Sequence, residues 1–201
     1  MLSVGDSGIP QEYHYLTTRN GIQVKIHSTI DFHEYRVACL ATIIANELGL
    51  PADQTNELCY YALFHDIGKV AIPSRILDKP ARLTDSEFYI MKTHPDVGAE
   101  LLGNDPGTII VRQHLERWDG AGYPAGIKGN EIDYSARVLS IADSFDAMTE
   151  YRTYDPPRSA CDALREIERC SGTQFDPEIA ECFIRIADHY SERVDRVRTI
   201  H

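Results

Sequence analysis

An all-α domain of roughly seven helices is what this sequence predicts, and three observations carry that reading. Apolar residues recur at three- and four-residue intervals along most of the chain. Helix starts are explicit: Thr84-x-x-Glu87 is a capping box, and Asp176-Pro177-Glu178 is an N-cap followed by proline at the first helical position. Strand-like alternation is nearly absent, and no internal repeat, low-complexity segment or composition break marks a linker.

Residues 1–26 mix Gly, Thr and Ser with little period and read as an irregular or β-tinged extension. From Thr29 the pattern turns helical: Tyr35, Ala38, Cys39, Thr42, Ile43 and Asn46 mark a stripe that stops at Gly49. After Pro51, Leu58, Tyr61, Ala62 and His65 form a second stripe ending at Gly68. The capping box opens a third helix through Phe88, Ile90 and Met91. Further helices are expected over 106–117, 134–149, 158–170 and 177–189. The implied division is an extension over 1–26, one domain over 27–190 and a tail over 191–201.

A formal charge of −11 and a pI near 5.1 argue against unspecific binding to DNA, RNA or anionic lipid. An anionic small substrate would need a local positive centre, from a few Lys and Arg or from metal. The five cysteines, Cys39, Cys59, Cys161, Cys170 and Cys182, form no CxxC and are expected to be reduced core residues of a cytoplasmic protein. The N-terminal MLSVGDSGIPQEYHY has no basic or apolar run, so no signal peptide is expected, and no apolar stretch suggests a membrane span.

Phe64 to Lys69 read FHDIGK, at the end of the second helical stripe. Adjacent His65 and Asp66 would point about 100° apart on a helix, so the pair can serve two neighbouring metal ions. A solvated pair is the plainer reading, but the apolar lead-in Tyr61, Ala62, Leu63 and Phe64 makes burial without partners costly. Gly68 is expected to let the backbone approach a ligand, and Lys69 to offer a cation to a phosphate. In ARVLSIADSFDAM the apolar positions Val138, Ile141, Ala142, Phe145 and Met148 keep helical period. Asp143 and Asp146 share a stripe with Leu139 and Ala147, either as a wet face or aimed inward at a cation.

Of eight histidines, His14, His189 and His201 sit in or near terminal segments, and nothing around His27 suggests a role. His33, His65, His94 and His114 fall on four successive helices or helix ends. Alone, each would more often be a satisfied core or surface residue. Together with the aspartates they suit a helix-bundle metal centre, one helix per ligand. Imidazole and carboxylate without thiolate favour Fe or Mn and admit Ni, Co or Zn.

HDIGK, KTHPDVGAELL, HLERWDGAGYPAGIKG, ARVLSIADSFDAMT and GTQFDP together resemble the HD-GYP branch of the HD metal-dependent phosphohydrolases. The resemblance covers about residues 28–190. It implies an all-helical bundle that hydrolyses cyclic di-GMP to pGpG or GMP with two divalent metal ions per chain. Carried over by position, it makes His33, His65, Asp66, His94, His114 and Asp143 the metal ligands, with Asp66 bridging. Asp143 would close the first metal, while His94 and His114 would hold the second. It gives Lys69 the scissile phosphate, Gly122 and Tyr123 of the intact GYP the loop beside the site, and Arg152 the ligand's phosphates. Asp146 is expected to steady a ligand from outside the coordination sphere. A homodimer or a diguanylate-cyclase-type partner would engage the GYP loop.

The chain departs from that pattern in three places. It reads His114-Leu115-Glu116 where the family usually has His-His-Glu, and Thr29 where members with a third metal carry glutamate. Both changes predict two metals rather than three. It also reads Arg152-Thr153-Tyr154-Asp155 where the family tends to RPYR, so an acid replaces a base near one phosphate. Two rival readings follow. One is a cyclic-dinucleotide receptor that has lost catalysis, and the other is a different HD activity, such as a nucleotidase or a di-iron oxygenase. The intact GYP argues against the latter.

Overall fold

The computed structural model describes residues 13–21, 23–27, 33–103, 105–150 and 157–198, with side chains over 17–21, 33–103, 105–150 and 157–187. Among these, nine α-helices follow an antiparallel hairpin of β1 (Tyr13–Thr17) and β2 (Gln23–His27). The hairpin replaces the near absence of strands expected from the sequence, because YHYLT and QVKIH supply β-branched and aromatic residues too briefly to set a visible period. Its turn is seated on the helices: the Arg19 backbone N–H donates to the Tyr60 hydroxyl at 2.7 Å, and Asn20 Nδ2 donates to the Leu101 carbonyl at 2.7 Å.

The helices are α1 (His33–Glu47), α2 (Ala52–Ala62), α3 (Ser74–Leu77), α4 (Asp85–Met91), α5 (His94–Leu101), α6 (Thr108–Gln113), α7 (Tyr134–Thr149), α8 (Ala160–Arg169) and α9 (Pro177–Arg198). Helix α1 packs on α2 and α7, and α5 packs on α6 and on the 3-10 turn Ile67–Ala71. Val37, Ala41, Ile44, Leu58, Tyr61, Val111, Val138, Leu139 and Ile141 are fully buried between them.

The buried face of α1 is not the stripe expected. Tyr35, Cys39 and Ile43 point outward, while Val37, Ala38, Ala41, Ile44 and Ala45 are buried. His33 and Val37 share the inward face because residues four apart lie one above the other. Among the cysteines, Cys170 and Cys182 are buried, but Cys39 and Cys161 are exposed and Cys59 is intermediate; all five are free. The core expectation therefore holds for two of them.

Helix α7 and the capping box of α4 form where the sequence placed them. The Thr84 hydroxyl accepts from the Glu87 backbone N–H, while the Glu87 carboxylate accepts from the Thr84 N–H. Helix α2 stops at Ala62, six residues before Gly68, and the helix expected over 106–117 shrinks to α6. In both places the chain tightens into turns that carry a histidine. Helices α3 and α5 are additions to the sequence reading, and α9 continues past residue 189 to Arg198.

Candidate metal centre

His65 and Asp66 lie in the turn between α2 and the 3-10 segment rather than on a continuous helix. The Phe64 N–H donates to Tyr61 O, the Ile67 N–H donates to Phe64 O, and Asp66 has φ −99° and ψ 6°. Gly68 is required there for a reason other than ligand access. A Cβ at that position would lie 1.9 Å from the His94 carbonyl oxygen and 2.6 Å from the Gly98 nitrogen. The missing side chain lets the His65–Asp66 turn press directly on the start of α5.

That contact brings His94, the first residue of α5, against the pair. His94 Nε2 lies 3.4 Å from Asp66 Oδ1, and His65 Nε2 lies 3.6 Å from Asp66 Oδ2. His114 caps the C-terminal end of α6, its ring centroid 5.2 Å from that of His65 and 5.7 Å from that of His94. His33 opens α1, its ring 5.4 Å from His65. Asp143, on the α7 face turned toward α1, sits 3.3 Å from His33 Nε2 and 3.8 Å from His65 Nε2.

Three of the imidazoles are oriented in the same way. His65, His94 and His114 place Nδ1 at 2.8, 2.8 and 2.7 Å from the carbonyl oxygens of Ala62, Met91 and Val111, each three residues earlier. A carbonyl only accepts, so Nδ1 carries the proton and Nε2 presents its lone pair to the cluster. The Nε2 atoms of His65 and His94 are buried without a hydrogen-bond partner. A buried polar atom left unpaired is costly, and a divalent cation would satisfy it.

His33 is oriented instead by a side chain. Its Nδ1 donates to Asp146 Oδ2 at 2.7 Å, and Arg36 grips the same carboxylate through Nε at 2.6 Å and Nη2 at 3.0 Å. Asp146 is buried and points inward, so the acidic stripe of α7 is no wet face. Arg36 went unnoticed in the sequence, although its spacing of three from His33 places both on one helix face.

Two triads have ligand atoms mutually within 4.8 Å: His33, His65 and Asp143, and His65, Asp66 and His114. His94 lies outside both, although it faces Asp66. Burial opposes ionisation of Asp66, but its electrostatic interactions with His65 and Lys69 and the Lys69 hydrogen bond hold it well below the usual carboxylate range. Burial likewise opposes ionisation of Asp143, and His33 and His65 outweigh it. Lys69 pairs with Asp66, so here its ammonium answers a carboxylate rather than standing free for phosphate.

The GYP loop is fastened from below by Glu116, whose role the sequence did not reveal. The buried carboxylate accepts from the Ala125 N–H at 2.6 Å and from the Gly126 N–H at 3.0 Å. Gly122 is another close approach, since a Cβ would meet Arg117 N at 2.4 Å and Glu116 Cα at 2.6 Å. The GTQFDP segment holds the preceding turn: Trp118 N–H donates to Gln174 O and Asp119 N–H to Thr173 O, while Arg137 pairs with the buried Asp176 at 2.6 Å. Leu115 is half-buried and lines a cavity of about 290 Å3 with Phe88, Tyr123, Ser140 and Ser144. Thr29, Arg152 and Asp155 lie outside the described residues.

A family model described as HD domain matches residues 17–179. A Thermotoga maritima protein named cyclic di-GMP phosphodiesterase is 44% identical over 160 residues, covering 77% of this chain and 44% of that one. A Vibrio cholerae protein named 3'3'-cGAMP-specific phosphodiesterase 2 is 32% identical over 179 residues, 86% of this chain and 34% of that one. The chain thus spans less than half the length of either relative. A solved HDG"Y"P protein from Bdellovibrio bacteriovorus superposes with a TM-score of 0.63 at 22% identity, over 78% of this chain and 51% of that one, which is a likeness of fold. Among the described residues no helix is long and apolar enough to cross a membrane.

Proposed function

The chain belongs to the HD-domain family, and from that premise we propose a phosphodiesterase that hydrolyses a cyclic dinucleotide, cyclic di-GMP before others, at a two-metal His/Asp site. The observation that carries it is the convergence of four imidazoles on Asp66 and Asp143, two of them with buried, unpartnered Nε2 atoms. This donor set, nitrogen and carboxylate oxygen without thiolate, fits divalent Fe or Mn. His33, His65, Asp66 and Asp143 would hold one ion, and Asp66, His94 and His114 the other. Such ions supply hydroxide near neutral pH and offset the phosphate's charge.

The protein's own groups do the rest. Asp66 stays ionised in its cationic surroundings, so it offers both oxygens. Lys69 lies one turn from it and would exchange the carboxylate for the arriving phosphate, leaving Asp66 to help hold the metal ions. Burial, with the charges of Asp66 and Asp143, pushes the Tyr123 hydroxyl up to about 12, so it remains a hydrogen-bond donor for a phosphate or ribose oxygen. Gly122 lets the loop that carries Tyr123 press on Glu116 and Arg117, and Arg152 would meet the ligand's phosphates.

Loaded with Mn or Fe(II), the protein should convert cyclic di-GMP to pGpG, and Asp66→Ala should abolish both hydrolysis and metal binding. Full activity in that variant would overturn the proposal. Leu115, in place of a second histidine, favours the receptor reading as the alternative. Tight binding of cyclic di-GMP with no pGpG formed would select it.

A further inference from the structure

Resting on the phosphodiesterase reading, we propose that Lys92 is a further cation, beside Arg152, that binds the second, non-scissile phosphate of the substrate. A cyclic dinucleotide carries two phosphates about the same ring, and a metal pair engages only one of them. A protein of net charge −11 must find a cation for the other.

Most of the cations near the cluster already answer acids. Lys69 pairs with Asp66, Arg36 with Asp146 and Glu150, Arg112 with Asp96, and Arg117 with Asp119. Lys92 differs. Among the described residues no carboxylate lies within ion-pair distance of its Nζ, which sits 4.8 Å from the Phe88 ring centroid and 5.2 Å from that of Tyr123. The two rings meet edge to face at 6.0 Å. Aromatic faces hold an ammonium without neutralising it, so its charge remains available to an anion.

Its position is equally specific. Lys92 caps the C-terminal end of α4 and stands two residues before His94. Two cavities flank it, the one of about 290 Å3 against Leu115 and Ser144 and another of about 430 Å3 against Tyr89 and Pro124. Lys92, Gly122 and Tyr123 line both. Leu115 and Ser144 follow the cluster residues His114 and Asp143 in sequence, and Tyr123, whose ring lies 5.2 Å from the Lys92 ammonium, feels the charges of Asp66 and Asp143.

The test compares a two-phosphate with a one-phosphate substrate. Lys92→Met keeps the length of the side chain and removes its charge; Lys92→Arg keeps the charge. For Lys92→Met, KM should rise about tenfold more for cyclic di-GMP than for bis(p-nitrophenyl) phosphate, the loss expected for one charged hydrogen bond, and Lys92→Arg should recover most of it. Equal changes with both substrates, or none with cyclic di-GMP, would overturn the assignment. Equilibrium binding of cyclic di-GMP to the metal-loaded protein separates this from the activity itself. If the wild type binds without turnover, the phosphodiesterase reading fails, and a Kd about tenfold weaker in Lys92→Met still supports Lys92. An unchanged Kd, or no binding by the wild type, rejects it.

Discussion

His33 and His114 face one cluster, yet the chain holds and titrates them in opposite ways. Burial opposes the charge of His33, but the hydrogen bonds to Asp143 and Asp146 outweigh it and raise its pKa to about 10. His114 is sealed in the interior and, among the described residues, hydrogen-bonded only to its own helix, and burial together with its electrostatic interaction with His65 lowers its pKa to about 4. His94 is lowered too, chiefly by burial. Three imidazoles are thus aimed by local backbone turns, while the fourth depends on α1 packing against α7. The difference separates what a short segment can pre-arrange from what only the finished fold provides.

The strongest way to break the locally held half is Gly68→Ala. The added Cβ would overlap the His94 carbonyl, so the turn and α5 must part. Loss of about 1–3 kcal/mol of stability is expected from such overpacking, together with loss of metal binding. Urea denaturation reads the first, and an unchanged midpoint would show that the contact is softer than drawn.

The tertiary half breaks at Asp146. Asp146→Ala leaves His33 without its orienting carboxylate and should weaken metal affinity by about 10–100-fold in a chelator competition. A change under about twofold would mean that His33 is aimed by something else.

Titration sharpens the contrast without a new ligand. In the metal-free protein His33 has a folded pKa near 10 against 6.5 in the unfolded chain. Its contribution to stability is therefore full below about pH 6.5 and lost as the pH rises through about 10. Stability measured across that window should fall in the wild type and fall less in His33→Gln. Parallel curves would refute the shift.

The smallest effect is expected at Met91. Its carbonyl, not its side chain, holds His94, so Met91→Ala should leave metal affinity within about twofold.

The same division explains what the sequence revealed. Helix α7 was legible because a sustained apolar period lies within the segment. The His65–Asp66 pair stood out through its apolar lead-in. What escaped depends on contacts between distant segments. Arg36 acquires meaning only through Asp146, 110 residues away. Glu116 acquires it only when the GYP loop folds back over it. Gly68 looked like a helix stop because its neighbour in space, α5, starts 26 residues later in the chain. The inward face of α1 was misplaced because Tyr35 and Ile43 are apolar enough to mimic a core stripe yet stay exposed.

The central claim is that this cluster binds two metal ions. Metal analysis of protein purified without oxygen tests it most directly. The account predicts about two ions per chain, both lost in Asp66→Ala; three ions in the wild type, or a full complement in the variant, would contradict it.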